Sequence, residues 1–360
     1  MLQTIGTVGE SVVDGIFTDV QVDCSGRAAD VVFPSRMFHL IAEADIRPGA
    51  KVIAAIPDEL WNYAAEFRCG GGFVNSTVAI GMVAPGLPLR CLDACSVGPL
   101  LSRRVRLPGL QLRGLGLRPV KRNAVFSVGG DKIIFKPKLP ASGVGLSAKQ
   151  LAMLKWVCKY RHLLGNSIKD EDVLAELAGA AGAGRTDLHL VLTPGLPFDF
   201  VSRTGLPVTR TVITSWDEIG KITGWGVGPT LDDARWAAAC LGRLARGATV
   251  HVTCGDSGAI VIGPGARSGY RVVLRPGVWD DVQRVVSANP SAICGAGDAY
   301  AGGVVAAVAS GPFGRLGAGG PVAVRSALGG CAAAVRWIGY RRLLRPTDFA
   351  VSTVPLAAAA

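Results

Sequence analysis

The pattern of apolar and polar positions divides the chain into two regimes. Up to about residue 140 it is β-rich and full of turn signals. IGTVGESVVDGI opens as a strand, and KRNAVFSVGGDKIIFK (121–136) reads as a hairpin of two β-rich runs around Gly129-Gly130. NSTVAIGMVA, after a triple glycine, reads as the start of a helix with Asn75 near its N-terminus. Beyond that region the pattern becomes strand, helix, strand. Residues 147–180 read as mainly helical, LHLVLTP (188–194) as a buried strand ending at proline, and RTVITS (210–215) as another. WDEIGKITG is a short helix closed by Gly224. TLDDARWAAACLGRLARG (230–247) is a helix with Thr230 as N-cap, acids in its first turn, arginines in its last and Gly247 at the C-cap. ATVHVTCG, GAIVIG and YRVVL are strands, and residues 297–310 form a helix.

Strands and helices at this spacing predict an α/β fold, a doubly wound, mostly parallel sheet covered by helices on both faces. The turn-rich material predicts a small β-sheet beside it. The expected organisation is a single unit over 1–360. Its small sheet, or lid, comes from about 12–65 and 100–140, and its α/β core mainly from 66–99 and 145–345. No internal repeat interrupts this order.

Composition changes the picture only in places. With 49% hydrophobic and 18% charged residues the chain is globular and not disordered. Mean hydropathy is +0.36, yet no apolar run is long enough for a membrane span, and MLQTIGTVGE has no secretory pattern. Nine dispersed cysteines fit buried thiols in a reducing cytoplasm. Cys91 and Cys95 alone lie close together, without a second pair or a histidine to make a zinc site. Net charge is +11, concentrated between Arg103 and Lys138, where ten basic residues face one acid, Asp131. That stretch lacks the interleaved aromatics of a nucleic-acid platform, so it reads as a solvated face or a funnel for a polyanionic substrate.

The distinctive chemistry is in NPSAICGAGDAYAGGVVAAVASG (289–311). A helix N-terminus offers unpaired N–H groups and the positive end of its dipole. Gly295, Ala296 and Gly297 would let a phosphate approach those groups, and Asp298, in the first turn, could accept a proton from a hydroxyl held beside the phosphate. Phosphoryl transfer from ATP to an alcohol needs that pairing of anion hole and base. The same residues could also be a packing turn and a helix-favouring acid. No P-loop is present. GPGARSG (263–269) precedes a strand, which is wrong for a dinucleotide fingerprint. His39, His162, His189 and His251 lack ligand spacing, and Trp156, Trp216, Trp236 and Trp337 sit at helical packing positions.

GAGDAYAGG resembles the C-terminal signature of the ribokinase-like (PfkB) carbohydrate kinase family, approximately D-T-x-G-A-G-D-[AS]-[FY]-x-G-[AG]. Further stretches are similar to the family in the family's order. VGESVVD (8–14) resembles the first strand, ending in Asp14, and CGGGFVN (69–75) the G-G-x-x-x-N segment, with Gly70, Gly71 and Asn75. Residues 96–115 loosely resemble the V-G-x-D-x-x-G stretch. ITSWDEIGKITG (213–224) resembles N-x-x-E-x-x-x-L-x-G, with Glu218 at the acid. VHVTCGDSGAIV (250–261) resembles T-x-G-x-x-G, with Thr253, Gly255 and Gly258.

The resemblance implies an ATP- and Mg2+-dependent kinase acting on a hydroxyl of a small polyol: a sugar, a nucleoside, or a cyclitol or aminocyclitol. It makes Asp298 the base and Gly295, Ala296 and Gly297 the anion hole. Asp14, Gly70, Gly71 and Asn75 would grip the acceptor. Thr253, Gly255, Asp256 and Gly258 would line the nucleotide, and Glu218 would hold magnesium through water. It also implies a cytoplasmic protein, a homodimer through the lid, and no nucleic-acid or membrane partner. An already phosphorylated acceptor is compatible with the basic stretch, and Phe17, Phe33, Phe38 and Phe73 are candidates to stack on a nucleoside base.

The chain departs from the pattern at Ala292-Ile293-Cys294, where the family has D-T-x, and at Ser215, Leu100 and Thr193, where it has an Asn or an acid. About 25 additional residues lie around Phe33 to Trp61. The alternative these departures leave open is a non-catalytic binding or regulatory protein on a kinase scaffold.

Overall fold

The opening apolar run is cut in two at Glu10-Ser11. Ile5–Gly9 (β1) is buried along its whole length, as the interior of a parallel sheet requires, whereas Val12–Phe17 (β2) buries only alternate residues and belongs to another sheet. The structure is a computed structural model and describes residues 4–18, 20–95, 107, 109–128, 131–138, 145–288, 293–310 and 322–356.

The chain continues through β3 (Gln21–Ser25), β4 (Ala28–Phe33), β5 (Arg36–Ile41), β6 (Lys51–Ile53) and β7 (Glu66–Gly70). Helix α1 (Gly72–Val83), β8 (Leu89–Cys95), β9 (Leu110–Arg118), β10 (Lys121–Val128) and β11 (Asp131–Lys136) follow. The α/β half runs α2 (Ala148–Val157), β12 (His162–Asn166), α3 (Glu171–Gly182), β13 (Asp187–Val191), α4 (Phe198–Thr204), β14 (Thr209–Ser215), α5 (Trp216–Thr223), α6 (Leu231–Leu244) and β15 (Thr249–Thr253). It closes with β16 (Ala259–Ile262), β17 (Ser268–Leu274), α7 (Pro276–Ala288), α8 (Ala296–Ser310), α9 (Val322–Ile338) and β18 (Phe349–Pro355).

Ten strands form one sheet in the order β18-β17-β16-β15-β14-β13-β12-β1-β8-β9. It is parallel from β9 to β15 and antiparallel from β15 to β18. The expected α/β class, with helices over a mostly parallel sheet and a smaller sheet beside it, is therefore observed. Five strands form the small sheet, β6-β11-β10-β2-β7, and β3-β4-β5 form a three-stranded meander. Phe17, Val31, Phe33, Phe38, Leu40, Val52, Phe126, Ile133 and Phe135 make one buried cluster between these two.

Several local expectations hold. The 121–136 hairpin pairs antiparallel, although its Gly129-Gly130 turn lies outside the described residues. Thr230 caps α6 through its side chain, and Gly224 closes α5 in the left-handed region at φ 72. Four details differ. The stretch read as helical from 147 to 180 contains β12, which is buried on both faces between β1 and β13, so sheet pairing overrides local helix preference. Helix α6 ends at Leu244 with Ala245 at its C-cap, so Gly247 is not its cap. Helix α1 begins three residues before Asn75, at Gly72. Leu110–Arg118, expected in the lid, pairs in the large sheet, and Glu66–Gly70, expected in the core, pairs in the small one.

Of the histidines, His162, His189 and His251 are buried, and His39 is exposed. His251 is bonded to Tyr300 at 2.9 Å, and burial pushes it down to about 3, so it stays neutral in the core. Among the described residues no helix is long and apolar enough to cross a membrane.

Candidate functional site

The candidate residues gather at the carboxyl ends of the parallel strands. β1 ends at Gly9, β12 at Asn166, β14 at Ser215 and β15 at Thr253, and each is followed by a loop or helix start that carries a candidate group. The chain leaves β1 toward β8 on one side of the sheet, and the later strands β12 to β15 build out on the other. Ligands in open α/β sheets bind in the crevice at such a switch point.

Helix α8 supplies the acid. Its sequence, AGDAYAGGVVAAVAS, buries Ala299 to Ala306 on every side, between α1 and α9. Glycine makes this approach possible. A Cβ on Gly302 would lie 2.3 Å from the Ser76 carbonyl oxygen, and one on Gly303 2.4 Å from the Gly329 oxygen. The close approach to α1 brings Asn75 to Asp298. Asn75 Nδ2 donates to one carboxylate oxygen at 3.1 Å, and Asn166 Nδ2 donates to the other at 3.3 Å. Gly295, just before the helix, has φ 85, and a Cβ there would strike Asn75 Nδ2 at 2.6 Å. Beside Gly297 there is open space within 4 Å of where a Cβ would sit. The turn is thus small where another molecule would have to approach.

Asp298 is half-buried, and burial raises its pKa above the ordinary carboxylate value. The two asparagine bonds and the Lys51 ammonium act in the other direction. Glu218, in the first turn of α5, is likewise raised, chiefly by burial; Lys51 lowers it and the charge of Asp298 raises it further. The charge of Asp298 therefore reaches Glu218 across the crevice.

Asp14 lies on the other side, in the small sheet. Asn123 Nδ2 donates to it at 2.8 Å. Burial raises its pKa, against the bond from Asn123 and the charges of Lys132, Lys51 and Lys136. Gly70 lies against it, since a Cβ there would sit 3.4 Å from Asp14 Oδ2, and Gly71 takes φ 88 to enter α1. The corner between β1 and β2 is pinned from below. Asp93 accepts from the Ser11 backbone N–H at 3.0 Å, and the buried Glu10 is paired with Lys169 at 2.9 Å and Arg118 at 3.2 Å. These contacts set how the small sheet stands over the large one.

At the end of β15, Thr253 donates to the Thr214 carbonyl at 3.3 Å, and a single 3-10 turn, Gly255–Ser257, follows. Gly255 and Gly258 have φ 57 and 88, and a Cβ on Gly258 would lie 2.1 Å from the Val272 oxygen. Asp256 is exposed. The Gly255 end packs toward Trp216 at the start of α5, the helix that carries Glu218.

The structure thus brings Asp298, Gly295, Asn75 and Glu218 together, with Asp14 facing them through the shared lysines. Asn166, Asn123 and Lys51 are additions. Asn166 was obscured by reading residues 147–180 as helix, although HLLGN, an apolar run ending in Asn, is itself a strand signal. Lys51 is on a strand of three residues and carries no sequence signal. Phe17, Phe33 and Phe38 are closed inside the small-sheet core and Phe73 inside that of α1, so none is available to stack on a base. Ile293 and Cys294 are exposed, with the Cys294 carbonyl held by Trp337 Nε1 at 2.8 Å. Ala292, Leu100 and residues 96–106 lie outside the described residues.

No protein-family model matches the sequence, and no curated protein matches it in sequence. Solved structures do match. A structure of Arabidopsis thaliana ribokinase complexed with ribose and ATP has 14% identity and TM-score 0.58, over 95% of this chain and 100% of that one. Anopheles gambiae adenosine kinase has 16% identity and TM-score 0.61, over 93% and 95%. Escherichia coli phosphofructokinase-2, solved with fructose-6-phosphate, has 15% identity and TM-score 0.56, over 97% of each. The likeness is one of fold, and it extends over nearly the whole chain.

Proposed function

We propose that this chain, which has the fold that ribokinase, adenosine kinase and phosphofructokinase-2 share, is a PfkB-type phosphotransferase. It moves the γ-phosphoryl group of ATP to a hydroxyl of a small polyol. The observation that carries this reading is the Asp298 carboxylate. It lies in the first turn of α8, behind the left-handed Gly295, and is held by Asn75 and Asn166 at the switch point of the sheet.

In the proposed reaction Asp298 takes the proton of the acceptor hydroxyl as its oxygen forms the new bond to phosphorus. The bond to the bridging oxygen breaks and ADP leaves. Backbone N–H groups of Gly295, Ala296 and Gly297 donate to the charge spread over the transferring group. Asp14, Gly70, Gly71 and Asn75 hold the acceptor, and Thr253, Gly255, Asp256 and Gly258 line the nucleotide. Glu218, whose pKa burial raises and the charge of Asp298 raises further, offers the hard oxygen donor that magnesium takes alongside phosphate. Glu218 would hold it through water, and the ion would neutralise phosphate charge. Nine free cysteines support a cytoplasmic setting. Exposed Met37 and Ile41 on β5, in the three-stranded meander, support a homodimer through the lid.

The test is ADP release in a panel of sugars, nucleosides, cyclitols and aminocyclitols. One or more acceptors should stimulate it, and Asp298→Asn should abolish the stimulation. If no acceptor does, the scaffold is a binding protein and the kinase reading fails. A finer test uses pH. The two asparagines favour the charged form of Asp298, so Asn75→Ala and Asn166→Ala should raise its pKa and move the acid limb of the kcat profile to higher pH. An acid limb unmoved in both variants would show that Asp298 is not the titrating base.

A further inference from the structure

The small sheet presents an unusual face to the crevice. Its strands pair Lys121 with Val12, Asn123 with Asp14, Asp14 with Arg68, Ile134 with Lys51 and Lys136 with Ile53. Alternation along each strand therefore puts Lys51, Lys121, Lys132 and Lys136 on the same face as Asp14. The intervening residues, Val52, Ala124, Phe126, Ile133 and Phe135, point the other way and are buried beneath the three-stranded meander. The lysine face looks at the catalytic helix. Lys132 Nζ reaches Cys294 Sγ at 3.8 Å, immediately before the Gly295 turn, and Lys51 acts on Asp14, Glu218 and Asp298 together.

We propose that this face holds an anionic group already present on the acceptor, so that the substrate is a phosphorylated polyol and not a neutral one. The inference rests on the kinase reading of the same site. Arg68 on this face is engaged by Glu66 at 2.7 Å, while Lys132, Lys51 and Lys136 act on the Asp14 carboxylate and Lys121 stands further along the same face. From the large sheet Lys169 adds a fifth ammonium, although it also pairs with Glu10 at 2.9 Å. Like charges are gathered there against their own repulsion. Burial, then Lys169 and Lys136, push Lys121 down to about 8, with Glu10 alone opposing; Lys136 is lowered by burial, Lys51 and Lys169, against Glu218 and Asp14. A group of ammoniums held in a crevice at that cost is relieved by a bound anion.

The crevice carboxylates do not fill this role in the reaction. Asp298 receives a proton, Glu218 faces the metal, and Asp14 binds hydroxyls. The nucleotide phosphates have their own donors, at Gly295 to Gly297 and Thr253 to Gly258 on the large sheet. The lysines stand around Asp14, on the acceptor side, and ammonium groups recognise a phosphate as a point charge.

The test compares neutral sugars and polyols, their monophosphates, and the matching sugar acids in the ADP-release assay. The parent protein and the Lys121→Met and Lys136→Met variants are assayed together. Monophosphates should exceed the neutral compounds by about 100-fold in kcat/KM, the size of one or two charged hydrogen bonds. Each variant should raise KM for the phosphorylated acceptor by about tenfold or more and leave KM for ATP within about twofold. Neutral acceptors working as well as their phosphates would overturn the inference and leave the kinase reading standing. So would variants that raise KM for ATP instead, since the lysines would then serve the nucleotide. Preference for the sugar acids over the monophosphates would overturn the choice of phosphate. If nothing is turned over, thermal stabilisation by inorganic phosphate decides. A shift that both variants abolish upholds the anion site while the kinase reading fails, and no shift in the parent sinks the anion site as well.

Discussion

Asp298→Asn is expected to lower turnover by about a thousandfold at saturating ATP and acceptor, within the range that a positioned general base supplies. The substitution keeps the side-chain volume, and the new amide oxygen can still accept from Asn75, whose bond to Asp298 is 3.1 Å. It removes a carboxylate whose pKa burial already raises. The thermal midpoint should therefore hold or rise while activity collapses. That combination separates a lost proton acceptor from a lost fold. The acid limb of the residual rate should vanish too, because the group that titrates is gone. Residual turnover within about tenfold of the parent would place the base elsewhere, since such a loss is below what general-base removal produces.

Gly302→Val tests the scaffold behind the acid. The Cβ it adds would lie 2.3 Å from the Ser76 carbonyl, which belongs to helix backbone and cannot turn aside. Helices α8 and α1 must separate, and Asn75, one residue before Ser76, moves with α1. Overpacking of this kind costs about 3 kcal/mol. The expected result is a thermal midpoint lower by several degrees, with turnover reduced because Asp298 loses its asparagine. Gly297→Ala is the counterpart on the same helix. Nothing lies within 4 Å of its Cβ, and alanine favours helix over glycine by about 1 kcal/mol. Stability should rise, yet the methyl group would stand in the space left for the transferring phosphoryl, so activity should fall. If Gly302→Val leaves the midpoint unchanged, the glycine contact is not what joins the helices. If Gly297→Ala leaves activity unchanged, the turn does not receive the phosphoryl group.

Much of this was readable in the chain. Thr230, the acids of its first turn and Gly224 mark their helix ends because caps satisfy orphan backbone groups locally, and such signals need no tertiary partner. Asp298 was legible for a similar reason. Small residues before an acid at a helix start describe a local geometry, and α8 begins at Ala296 as that geometry requires. β12 was only partly legible: HLLGN carries a strand signal, but it lies between two helices and its strand identity is settled by pairing with β1 and β13.

By itself the sequence determined the α/β class, the helix termini and the first-turn acid, because these depend on periodicity and on groups within a few residues of one another. Only the tertiary structure decided what surrounds that acid. Asn166 reaches Asp298 across 132 positions, and Asn123 reaches Asp14 across 109. Lys51 meets three carboxylates because the small sheet happens to place a three-residue strand beside Lys136. The basic stretch, which in sequence could be a solvated face or a funnel, became a face with a direction only when strand register turned its lysines toward the crevice and its phenylalanines into the core.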